Sequence, residues 1–194
     1  TPLRLAAITS VTTSRVARNQ RTASRTVARL LSDEAARGAQ VSGLGIFEQG
    51  FYDRLGYGNG AYEHMVRFDP AWLVKLGTPR VPVRLGPDNW KEIHEARFAR
   101  RKLHGAVDLK PPAISRCEME WSKNVFGLGY REGGRLTHFF VAHAEDVETG
   151  PYYLDWMVYR SVDELRELLA LVRGLGDQVR QVRMREPRDI QLQS

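Results

Sequence analysis

The sequence predicts an α+β protein built in two parts, and three observations predict it. Three stretches between Asn124 and Arg160 alternate apolar and polar residues, as strands with one buried face do. A capping pattern at Ser161–Glu164 then opens a helix with Val162, Leu165, Leu168, Leu169 and Val172 on one face. Upstream, a strand, a basic turn, a helix and a second strand follow one another between Leu5 and Ile46. Prolines and a glycine break the pattern at Asp69–Pro79, so the expected division is residues 1–68, a linker at 69–79 and a second domain at 80–194.

Leu5–Thr13, rich in small and β-branched residues, is the expected first strand, and Ser14–Arg21 has no apolar period and reads as a turn. Thr22–Arg37 follows as a helix with Ala23, Val27, Leu30, Leu31 and Ala35 on its buried face and Gly38 as its stop. Arg18, Arg21, Arg25 and Arg29 recur at steps of three and four as a basic stripe. Cations at a helix N-terminus oppose the macrodipole unless an anion arrives. Gln40–Ile46 is the second strand, and Phe47–Gly58 is an aromatic, glycine-rich tail. Ala61–Phe68 reads as a strand and Ala71–Leu76 as a short helical piece.

The second part starts with a strand at Val81–Leu85 and a charged helix carrying Trp90, Ile93, His94, Phe98 and Leu103. Lys102–Ser115, with Pro111-Pro112, reads as a loop. Strands are expected at Asn124–Tyr130, Leu136–His143, Tyr152–Arg160 and Gln178–Met184, with Gly133-Gly134 as a hairpin turn. The order implies one helix covering one face of an antiparallel sheet.

Composition narrows the function. With 194 residues and 42% hydrophobic content the chain can bury a real core, yet no run approaches the roughly 20 apolar residues of a membrane span. Cys117 is the single cysteine, which excludes an internal disulfide and a multi-cysteine metal site and suits a reducing cytoplasm. The formal charge of +6 comes mostly through arginine, a fork of donors matched to phosphate and carboxylate. Charge alone argues solubility and steering.

Four features could carry chemistry. A strand feeding a helix through the turn Arg15–Arg21 is a candidate phosphate cradle, because the first helical N–H groups have no intrahelical partner; the plain alternative is a solvated basic turn. Tyr52 is a candidate proton donor, and Tyr57 a stacking group; both could equally finish a strand with a packed ring. Glu48 could accept a proton from an amine, or be an ordinary surface carboxylate. His138 and His143, five apart on a strand, should face opposite ways and share no metal, and all five histidines read as structural. Aromatic residues among basic ones at 51–57 could stack on bases, but no nucleic-acid reading module accompanies them.

Three motifs carry a resemblance. Val11-Thr12-Thr13 sits where a strand would open to a pantetheine arm. Arg18-Asn19-Gln20-Arg21-Thr22-Ala23 matches the frame Arg/Gln-x-x-Gly-x-Gly/Ala, with Arg21 at the central glycine. Phe51-Tyr52-Asp53-Arg54-Leu55-Gly56-Tyr57-Gly58 looks like Ile-Tyr-Gly-Arg-Phe-Gly-Tyr-Gly. On these the first 68 or so residues resemble the GNAT N-acetyltransferases, within them the enhanced intracellular survival (Eis) branch; residues 80–184 resemble that branch's second, degenerate domain. The resemblance implies an incomplete GNAT acyltransferase domain followed by a GNAT-like one, without the family's N-terminal strands and its sterol-carrier-like C-terminal domain. It implies acetyl transfer from acetyl-CoA to a primary amine, aminoglycoside-like or lysine-like, with Tyr52 as general acid and no metal. By the same resemblance, cofactor contacts fall on Val11, Thr12, Thr13, Asn19, Gln20, Arg21, Thr22, Ala23, Ser24, Phe47 and Glu48. A homo-oligomer, a hexamer in the family, is also implied. The rival readings are a GNAT-like domain kept for binding or assembly after losing catalysis and, behind it, a basic nucleic-acid-binding protein.

Overall fold

Parallel strands cannot be joined by a tight turn, and the N-terminal unit shows the consequence. The computed structural model describes residues 3–45, 48–60, 62–102, 107–187 and 190–192, and the chain divides into units Thr1–Ala61 and Tyr62–Ser194. Strand β1 (Leu5–Ile8) pairs in parallel with β2 (Val41–Leu44), and helix α1 (Thr22–Ala36) is the crossover between them. β1 stops at Ile8 rather than Thr13, because Ser10 adopts φ 54, a left-handed conformation that interrupts a strand. α1 stops as foreseen: Gly38 takes φ +91 and its N–H donates to the Ala35 carbonyl at 2.9 Å. Ile46 and Phe47 lie outside the described residues. The tail beyond them holds a short helix, α2 (Gln49–Asp53), which the glycines hid from a reading by pattern.

In the second unit one mixed sheet has the order β3-β8-β7-β6-β5-β4. Its strands are β3 (Met65–Phe68), β4 (Val83–Leu85), β5 (Val125–Glu132), β6 (Arg135–Ala144), β7 (Tyr152–Val158) and β8 (Val182–Arg185). The strand expected to close the first domain, β3, instead pairs antiparallel with β8, so the stretch 69–79 lies within this unit. The sheet is not wholly antiparallel either. β7 and β8 run parallel, because helix α5 (Val162–Arg173) crosses between them.

Both faces of this sheet are covered, not one. Phe139 and Phe140 are adjacent on β6 and therefore point to opposite faces, yet each is fully buried. Phe140, Ala142 and Leu154 pack with Leu165, Leu168 and Val172 of α5. Phe139, Val141 and Val158 pack with Leu85, Ile93 and Met119, the last two from α3 (Trp90–Ala99) and α4 (Pro112–Trp121). Helix α4 occupies part of the stretch read as a loop. Pro112 is its first residue, where a missing N–H costs nothing, so the proline pair starts a helix rather than forbidding one. Leu103, expected to extend α3, lies outside the described residues.

Local signals held where they depend on near neighbours. Gly133 and Gly134 take φ 56 and 80 and close the β5–β6 hairpin. Ser161 Oγ accepts from the Glu164 N–H at 3.2 Å. The return bond is displaced by one residue, since Glu164 accepts from the Arg160 N–H instead.

α5 is also tied to the segment before β4. The Arg80 guanidinium donates two 2.8 Å hydrogen bonds to Glu167 and holds that carboxyl at about 2, against the opposing effect of its partial burial. An unfolded glutamate titrates near 4.3, so Glu167 stabilises the fold fully above about pH 4.3 and loses that contribution as the pH falls toward 2. Glu167→Gln should therefore lower the urea midpoint near neutral pH and flatten its fall across this acid window. An unchanged acid limb would show that the pair contributes nothing.

Candidate functional site

The N-terminal unit holds a cavity of about 470 Å³ beside the end of β1. Its walls are β1 itself, the stretch Thr9–Thr13, and the α1 side chains Thr22, Ala23, Thr26, Val27, Leu30 and Glu34. The chain leaves β1 through the left-handed Ser10, makes one 3-10 turn at Arg15–Ala17, and enters α1 through two more left-handed residues, Asn19 (φ 64) and Arg21 (φ 58). Arg21 is the N-cap and supplies no capping side-chain bond, and Arg25 N–H donates to its carbonyl at 3.0 Å. Helix geometry thus leaves the N–H groups of Thr22, Ala23 and Ser24 without intrahelical acceptors. The first turn of α1 carries no acidic residue, and Arg18, Arg21, Arg25 and Arg29 are all exposed. Arg29 pairs with Asp33 at 3.0 Å. The mouth of α1 therefore combines aligned amide dipoles with guanidinium charge, the arrangement that attracts an anion.

Arg21 stands where the motif resemblance expects a glycine. The backbone there is left-handed, as glycine would allow freely, and the side chain is exposed and does not wall the cavity. Arg21→Gly should keep the fold, whereas Arg21→Val, β-branched in a left-handed position, should cost about 1–2 kcal/mol. Thermal melts of the two variants check this, and equal melting points would show that the turn is not held in that conformation.

Of the residues expected to meet a cofactor, Val11, Thr12, Thr13, Thr22 and Ala23 line the cavity together. Asn19, Gln20, Arg21 and Ser24 form the adjoining turn and first helical turn without walling it; Gln20 Nε2 donates to the Val16 carbonyl at 3.2 Å. Phe47 lies outside the described residues. Glu48 caps a helix instead of facing the cavity. Its two carboxylate oxygens accept the Gly50 and Phe51 N–H groups at 3.1 and 2.6 Å, at the start of α2.

Tyr52 is 2% exposed and does not line the cavity. Its ring meets those of Phe51 and Tyr57 edge-on, with centroids 5.0 and 6.0 Å away. Tyr57 in turn reaches back to the strands. Its hydroxyl lies 2.7 Å from Ser42 Oγ, which donates to the Ala6 carbonyl of β1 at 3.0 Å. Ser42 has one proton, given to Ala6, so Tyr57 is the donor to Ser42. Reading by residue type missed Ser42; the available signal was a single hydroxyl in the apolar run Val41–Leu44.

The histidines hold structure together in the second unit. His94, buried, bridges Ser115 Oγ at 2.9 Å and the Lys110 carbonyl at 3.0 Å. His143 lies 2.7 Å from Asp155 and stacks on Tyr153, while His138 turns to the opposite face and meets Glu167 at 3.0 Å. Glu132, His138 and Glu164 bring three ligand-type atoms within 4.8 Å of one another, but the Arg160 guanidinium bonds both carboxylates and already supplies a cation there.

No protein-family model and no curated protein matches the sequence. Solved structures do match the fold. A GCN5-related N-acetyltransferase from Kribbella flavida aligns at 21% identity and TM-score 0.67, over 96% of this chain and 46% of that one. Eis1 from Mycobacterium abscessus aligns at 19% identity and TM-score 0.73, over 98% and 51%. A GCN5-related N-acetyltransferase from Anabaena variabilis aligns at 15% identity and TM-score 0.74, over 97% and 49%. The chain shares its fold with these proteins and spans about half the length of each. Among the described residues, no helix is long and apolar enough to cross a membrane.

Proposed function

We propose that a chain with this acetyltransferase fold supplies the acyl-donor half of an N-acetyltransferase site, drawing on acetyl-CoA and delivering to a primary amine. One observation carries the reading: the cavity formed by Val11–Thr13 with Thr22 and Ala23, at a helix mouth rich in exposed arginines. A diphosphate fits that mouth by charge and by unpaired amides, and an extended amide-bearing arm fits the open end of β1. Acetyl-CoA, when bound, would supply a thioester whose carbon the amine attacks: the C–N bond forms, the C–S bond breaks, the nitrogen gives up a proton to water, and the acid that protonates the departing thiolate is recharged from water. The chain's part is then positional and acidic. Thr22, Ala23 and Ser24 hold the phosphates through their N–H groups, Arg18, Arg21 and Arg25 balance their charge, and Tyr52 gives its hydroxyl proton to the leaving sulfur.

Calorimetric titration with CoA tests the reading, with saturable heat expected and strong weakening by salt. No heat at millimolar CoA would overturn it and favour a GNAT-like domain kept for assembly or ligand sensing. The arginine at position 21 and the absence of Tyr52 from the residues lining the cavity are what that rival has on its side. An oligonucleotide shift at low salt that fades as salt rises would instead point to nucleic acid. We propose in addition that the chain is a cytoplasmic protein forming a homo-oligomer, up to a hexamer; light scattering that returned only the monomer mass would remove the assembly.

A further inference from the structure

A set of interlocked charged side chains in the second unit lies where α5 packs on the sheet. His138 is 1% exposed, and its ring centroid lies 4.8 Å from that of Tyr130. Its Nε2 is 3.0 Å from Glu167 Oε2, and its Nδ1 is 2.9 Å from Thr137 Oγ1. The Thr137 hydroxyl has one proton, and it goes to the Tyr130 carbonyl oxygen at 3.1 Å. Thr137 Oγ1 can then only accept from His138, which places a proton on Nδ1. Glu167, ionised beside Arg80, can also only accept, which places a second proton on Nε2. We infer that His138 is a buried imidazolium, protonated on both nitrogens, and that it closes a charge-neutral clamp holding α5 on the sheet.

The surrounding charges call for that proton independently. From α5 come Glu167 and Glu164, whose Oε1 lies 3.6 Å from His138 Nδ1. From β5 come Glu132 and the uncharged Tyr130, whose phenol is pushed up to about 12, chiefly by burial. The turn before α5 gives Arg160, bonded to Glu132 at 3.1 Å and to Glu164, and the segment before β4 gives Arg80 on Glu167. Three carboxylates against two guanidiniums leave one negative charge, and the imidazolium cancels it. With a neutral imidazole the surplus charge would remain beside a buried ring, and either a bare Nε2 would face the Glu167 carboxylate or a bare Nδ1 would draw the Thr137 proton away from the Tyr130 carbonyl.

The clamp is consequently sensitive to alkali. Loss of the Nδ1 or Nε2 proton would leave one uncancelled negative charge against the buried ring, so the hold of α5 on the sheet should weaken in alkali. The test is nitrogen NMR of the whole chain, labelled at histidine, at about pH 8, where an unconstrained ring is neutral. Both ring nitrogens of His138 should carry protons. An unprotonated Nδ1, accepting from Thr137, overturns the inference. Assignment through the β6 backbone makes this readout independent of whether any variant folds. Urea midpoints give the second readout: between about pH 6 and 9 the unsubstituted chain should lose stability that His138→Gln does not. Parallel curves for the two proteins would also overturn it.

Discussion

Replacing Tyr52 by phenylalanine should lower kcat by roughly 10²- to 10⁴-fold, the range lost with a general acid, while CoA affinity stays nearly intact. The reason for the split is that the substitution removes the hydroxyl that carries the transferable proton and keeps the ring. The ring that packs edge-on against Phe51 and Tyr57 remains, so the buried site keeps its shape. The turn proposed to hold the phosphates, Asn19–Ser24, belongs to a different stretch of chain and is untouched. Tyr57→Phe is the informative comparison. It breaks the bond to Ser42, which should cost about 1 kcal/mol of stability, with a far smaller loss of turnover. Steady-state kinetics on both variants decide between the tyrosines. Unchanged turnover in Tyr52→Phe removes that residue from the mechanism, and a larger loss in Tyr57→Phe transfers the role.

Gly129→Ala should be the most damaging single-methyl change in the second unit, destabilising it by about 3 kcal/mol or more. A Cβ at Gly129 would stand 2.4 Å from Phe139 Cβ and 2.7 Å from the His138 carbonyl oxygen. Neither neighbour can yield, because Phe139 is fully buried at the centre of the sheet and the carbonyl is backbone. The strain falls on β6 beside His138, so the variant should loosen α5 as well. Gly77→Ala is the control: nothing lies within 4 Å of a Cβ there, and its stability should be nearly unchanged. Denaturant midpoints measured side by side check the pair, and similar values would show that β5 and β6 do not approach this closely.

How much was legible from residues alone follows the range of the interaction involved. The stop of α1 at Gly38, the Gly133-Gly134 turn, the Ser161 cap and the apolar face of α5 are set by residues within a few positions of each other, and the chain encodes them directly. The candidate anion site belongs to the same class, since turn, cap and stripe all fall between Arg15 and Arg29. Left-handed backbone at Arg21 was not legible, because an arginine advertises nothing of the kind; only the closed turn imposes it. Glu48 likewise looked like chemistry until the short helix α2 took both its oxygens.

Composition, periodicity and capping determined that this is an α+β protein with a strand–turn–helix–strand unit at its start and a capped helix near its end. They also singled out the basic turn Arg15–Arg21 as the candidate for meeting a phosphate. Tertiary structure decided that β3 joins β8, that β7 and β8 run parallel, that α4 covers the second face, and that His138 and Arg80 both meet Glu167. Arg80 and Glu167 stand 87 positions apart, and no local period records such a partner. Which strand lies beside which, and which charge is buried against which, is fixed only when the whole core closes and each polar group must find an acceptor or donor within it.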